Sequence, residues 1–72
     1  MTMHFGKGTH VTWRWGAHQA EGIVAEVFTR RVKRKIAGKV IVRNGSEEEP
    51  VYLVRQADGG KALKNASELT RA

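Results

Sequence analysis

Cysteine is absent from this 72-residue chain, proline occurs once, and only five residues are aromatic. Without thiols, neither disulfides nor thiolate metal ligands can reinforce the fold. That composition is compatible with a reducing compartment, and a cytoplasmic location is the default expectation. No apolar run approaches the roughly 18 residues of a membrane span. The stretch from Met1 to Gly8 lacks the apolar core of a secretory signal. A chain of this length is a single small domain that buries only about 60% of its unfolded surface. Its core is therefore thin, and an elaborate active site is not expected. Hydrophobic residues at 40% against 28% charged still describe a globular domain rather than a disordered tail.

Negative charge is locally missing as well. Between Arg30 and Arg43 stand seven basic residues (Arg30, Arg31, Lys33, Arg34, Lys35, Lys39 and Arg43) and no acid. The other 58 residues sum to −1, so this segment accounts for the whole net charge of +6. The acidic run Glu47-Glu48-Glu49 follows at once. A cluster of one sign attracts phosphate or carboxylate partners over about a Debye length. The plainer alternative is a solvated hairpin kept soluble by its charge.

Glycines divide the chain into pieces of strand length, which points to a small all-β fold. Val11-Thr12-Trp13-Arg14-Trp15 alternates apolar and polar residues, the period of a half-buried strand, and Gly16 ends it. Val51-Tyr52-Leu53-Val54 is a second β-rich run, and Asp58-Gly59-Gly60 is a tight-turn signal before a returning strand at Lys61 to Lys64. Asn65 stands three positions before Glu68, enough for one helical turn. The middle reads two ways. Ala20, Ile23, Val24, Val27, Phe28, Val32 and Ile36 fit a basic amphipathic helix from about His18 to Ala37, with Gly38 as its cap. Gly22 and the recurring β-branched residues favour strands, with Ala37-Gly38 as a hairpin turn.

The segments K-G-T-H-V-T-W-R-W-G, A-E-G-I-V-A-E-V-F and P-V-Y-L-V-R-Q-A-D-G-G-K-A-L-K-N-A-S-E-L resemble, in that order, a Tudor-type SH3-like barrel. From about Gly6 to Leu69 the chain resembles the small bacterial hypervirulence-associated protein Tudor domain family, with R-K-I-A-G-K and the E-E-E-P to Y-L-V spacing adding to the likeness. The resemblance implies an all-β, small five-stranded SH3-like barrel with one short helical turn near the C-terminus. Its strands are expected at about Val11 to Trp15, Glu21 to Phe28, Val51 to Gln56, Lys61 to Lys64 and Leu69 to Arg71. Residues 29–50 are then an insertion between strands two and three: a basic hairpin, Arg30 to Ile36 against Lys39 to Arg43, that extends the sheet, followed by the acidic loop. Residues 1–6 are expected to fray. Val11, Trp13, Ile23, Val27, Leu53, Leu63 and Leu69 are the expected core.

Tudor domains that read methylated side chains do so with an aromatic cage, through cation–π attraction. On that pattern Trp15 falls at the cage tryptophan. The other aromatic positions fall on Arg55 and Asp58, and near Ala20 and Glu21, so a complete cage is not expected. The candidate binding residues are therefore the seven basic residues of the hairpin, for nucleic acid or another acidic partner. The aromatics Trp15, Tyr52 and Phe28 are candidates for a protein partner at the barrel end. Catalysis finds no support. His4, His10 and His18 have no ligand spacing, and Ser46 and Ser67 fit turn and cap roles. No phosphate-loop or nucleophile motif occurs. The expectation is a non-enzyme without cofactor, metal or membrane contact, and of unassigned oligomeric state.

Overall fold

Short, glycine-bounded segments become strands along nearly the whole chain. The computed structural model describes residues 4–72. In chain order it has β1 (His10–Trp15), β2 (His18–Phe28), β3 (Arg31–Ile36), β4 (Lys39–Asn44), β5 (Val51–Arg55), β6 (Lys61–Asn65), a single 3₁₀ turn (Ala66–Glu68) and β7 (Thr70–Arg71). Five of them form one antiparallel sheet in the order β6-β5-β2-β1-β7, and β3 and β4 form a separate two-stranded sheet. The fold is the all-β architecture expected, with each strand boundary moved by at most a few residues.

The helical reading of His18 to Ala37 is overturned. β2 lies between β1 and β5 and hydrogen-bonds to both, which a helix at that place could not do. Gly22 permits the close approach: a Cβ there would stand 2.6 Å from the Arg55 carbonyl oxygen. A bulge between Val24 and Glu26 shifts the β2–β5 register by one residue, and such bulges increase the local bend of a strand. At the β3–β4 turn, Ala37 and Gly38 both have positive φ, 51° and 80°. A two-residue turn with that sign at both positions matches the right-handed twist of the strands it joins.

The apolar run of β5 does not alternate because β5 is covered on both faces. Tyr52 and Val54 pack in one core with Phe5, Val11, Trp13, Val24, Ala66 and Leu69. Val51 and Leu53 pack in a second core with Phe28, Val32 and Leu63, joined by Ile36 and Ile41. The hairpin supplies Val32, Ile36 and Ile41 to that second core. It therefore covers the sheet and does not extend it by hydrogen bonds, a correction to the expected arrangement. Packing lets the hairpin bury its own apolar side, which edge addition would leave in water.

Two expected core residues are also corrected. Ile23 is 42% and Val27 37% exposed, while Val24 is buried. Alternation along β2 sends Val24 to the first core and Ile23 to the other side, opposite His10 and Arg55. The bulge then resets the phase, so that Val27 stands opposite Tyr52 and Phe28 opposite Val51; Val27 is not among the residues packed in either core and stays partly exposed. Part of the expected fraying at 1–6 falls on residues 1–3, outside the described ones, but Phe5 is buried in the first core.

Candidate binding surface

Cross-strand partners lie on one face of a sheet, and neighbours along a strand alternate between faces. In the hairpin Arg31, Lys33 and Lys35 stand opposite Asn44, Val42 and Val40. All six are exposed, so the outward face is a basic stripe on β3 beside an apolar stripe on β4. Val40 and Val42 rank among the exposed large hydrophobic residues of the domain.

The remaining basic residues are not part of that face. Arg34 shares the inward side with Val32 and Ile36, and its Nη2 lies 3.3 Å from the Glu26 carboxylate. Its guanidinium also sits 5.2 Å from the centre of the Phe28 ring, and that of Arg30 sits 5.4 Å from it. These two arginines fasten the hairpin to the end of β2 through a cation–π contact with one phenyl ring. Arg43 stands opposite Val32 and is half-buried, with its Nε enclosed by protein. Lys39 is exposed beside the turn. Seven basic residues clustered in one segment thus resolve into three on the outward face, one at the tip and three on the barrel side, of which Arg30 and Arg34 remain exposed.

The three candidate aromatics separate as well. Trp15 is 67% exposed at the end of β1. Tyr52 is fully buried, its hydroxyl accepting the Phe5 backbone N–H at 3.0 Å. Phe28 is buried in the second core beneath the two arginines. Tyr52 and Phe28 therefore present no ring to a partner, because the doubly covered β5 and the hairpin root enclose them.

Gly16, with φ 60°, turns β1 into β2 and sets Trp15 opposite His18. Their rings stack at 6.4 Å with an interplanar angle of 26°. Beside them lies a groove of about 420 Å³ whose walls include Trp15, His18, Ile41, Gln56, Lys61 and Lys64. Sequence reasoning missed Lys61 and Lys64. They sit far from Trp15 in the chain, and only the folding of β6 across β5 brings them near it. Lys64 Nζ lies 3.7 Å from the Glu68 carboxylate. Glu68 in turn accepts the Asn65 backbone N–H at 2.9 Å, as half of the capping pair expected there.

No aromatic ring stands at the other cage positions. Asp58 accepts the Gly60 backbone N–H at 2.8 Å and so stabilises its own turn, and Arg55 is an exposed strand end paired with Lys61. Ser46 accepts the Glu49 backbone N–H at 3.0 Å, a turn role. Among the described residues no helix is long and apolar enough to cross a membrane.

A short-stranded sheet wrapped on a thin core, with an exposed tryptophan where the first strand turns into the second, defines a small Tudor-type β domain, a class that suggests a binding module. The hypervirulence associated proteins TUDOR domain family matches residues 8–69, and the chain belongs to that family. No curated protein and no solved structure matches it.

Proposed function

We propose that this domain is a non-enzymatic binding module whose hairpin face contacts nucleic acid. The observation that carries this reading is the outward stripe of Arg31, Lys33 and Lys35, exposed at alternate positions with no acid among their cross-strand partners. Phosphate contacts give affinity without a shaped pocket, which suits a domain with so thin a core. An acidic protein surface would use the same charges, but only a nucleic acid carries a condensed counterion atmosphere to release. Three neutralised phosphates give duplex binding a log–log salt slope of about −3.

The test is titration of labelled DNA and RNA from low to physiological salt, repeated with Arg31→Glu, Lys33→Glu and Lys35→Glu combined. Binding at low salt with that slope, lost on charge reversal, is the expected result. No binding at low salt, or binding indifferent to the reversal, removes the reading.

A second reading places a protein partner at the barrel end, and the exposure of Trp15 favours it. Its test is a pull-down with Trp15→Ala beside the hairpin reversal. Loss of the partner set with the first variant alone assigns the interface to the barrel end. Retention of that set rules it out.

A further inference from the structure

The groove beside Trp15 touches the hairpin at Ile41 and reaches its basic residues through Lys61. Lys61 lines the groove and also lines a smaller one with Lys35, Arg34 and Glu26. The Glu26 carboxylate there is already engaged by Arg34 at 3.3 Å. Lysines therefore run from the hairpin through Lys61 to the stacked rings of Trp15 and His18. No acid is among the residues that line the Trp15 groove. Such a floor rejects a methylated ammonium group, which needs electron-rich rings without competing cations. It suits a flat ring that carries negative charge close by.

We propose that this groove is a stacking site for one unpaired base of a single-stranded nucleic acid, with Lys61 and Lys64 on its phosphates. The proposal rests on the nucleic-acid reading of the hairpin and adds strand selectivity to it. A duplex keeps its bases stacked on each other and offers the groove only backbone. A single strand can turn a base onto the exposed Trp15 face while its phosphates follow Lys61 toward Lys35. The His18 ring backs the indole from the opposite strand position and limits its rotation, so less freedom is lost on stacking. Lys64 is half-buried and meets a phosphate only by sharing or leaving its 3.7 Å contact with Glu68.

Three ligands of equal length separate the contributions: oligothymidylate, an abasic strand with the same phosphates, and a duplex. Trp15→Ala is expected to weaken oligothymidylate binding about ten-fold or more, with the abasic strand and duplex unchanged. Trp15→Phe is expected to restore most of the loss. Oligothymidylate, but not the abasic strand, should quench the emission of Trp15, against a background from the buried Trp13 that Trp15→Phe reports alone. Lys61→Glu should weaken both single strands. Equal loss for all three ligands on Trp15→Ala, or no loss for any, overturns the stacking site. If Trp15→Ala changes nothing while the hairpin reversal abolishes binding, the hairpin reading stands without it. If no ligand binds at low salt, both fall.

Discussion

The Phe5 backbone N–H donates to the Tyr52 hydroxyl at 3.0 Å, and the two rings meet edge to face with centroids 5.4 Å apart. That pair closes the first core by tying the segment before β1 to the middle of β5. A phenol that the sequence offers as a partner-facing ring is therefore a structural clasp. Tyr52→Phe keeps the ring contact and removes the acceptor, leaving a buried amide without its oxygen. The expected cost is about 1–3 kcal/mol. At roughly 4–8 °C per kcal/mol for a domain of this size, a thermal melt reads it directly. Ligand affinity should not change.

Gly22 tests the close approach of β2 and β5. An added methyl would stand 2.6 Å from both the Arg55 carbonyl oxygen and a Val54 methyl carbon. Backbone cannot yield as a flexible side chain does, so the strands must separate locally. Gly22→Ala is expected to destabilise by about 1–3 kcal/mol in urea unfolding, as overpacking does elsewhere. For a domain whose whole stability is on the order of 4–11 kcal/mol, that is a large fraction. An unchanged midpoint would mean that β2 and β5 lie further apart than this contact requires.

The Ala37-Gly38 turn carries strain that a different residue would relieve. Ala37 adopts φ 51°, which costs an L-residue with a Cβ about 1–2 kcal/mol. Asparagine tolerates that region and leads the preferred Asn-Gly pair of such turns. Ala37→Asn should therefore raise stability by about 0.5–1 kcal/mol, part of that strain, seen as a higher unfolding midpoint without altered ligand affinity. Lowered stability would show that the turn is of another type.

Charge in the hairpin should divide by face. Arg34→Ala removes an exposed ion pair with Glu26 and a cation–π contact with Phe28, each worth no more than about 1 kcal/mol at such sites. It should lower stability slightly and leave the salt slope of nucleic-acid binding intact. Lys33→Ala should do the reverse, reducing the slope by about one phosphate with stability unchanged. Equal effects on the slope would place Arg34 at the ligand.

Much of the fold is legible in the sequence, because strand period and turn chemistry are local. The alternation at Val11 to Trp15, the Asp58-Gly59-Gly60 turn, the Asn65–Glu68 cap and the family likeness along the chain each place an element within a few residues of where it stands. Ile23 and Val27 could not be placed that way. Alternation does not say which of the adjacent Ile23 and Val24 turns inward, and the bulge that changes the phase of β2 after Val24 depends on what the neighbouring strand requires. Nor does the non-alternating run Val51 to Val54 reveal that a hairpin covers its second face.

Period, length and composition act residue by residue, and they set the class of fold, the size of the core and the sign of the charge. The concentration of basic residues from Arg30 to Arg43 belongs with them. Which side of the hairpin each of those charges takes was settled by packing in three dimensions. Docking of β3 and β4 against β6 set Arg30, Arg34 and Arg43 on the barrel side, with Arg43 half-buried, and left Arg31, Lys33 and Lys35 on the outer face. The fold also set Lys61 and Lys64 beside Trp15. Their proximity depends on strands distant in the chain folding across one another, and a local pattern carries no record of that.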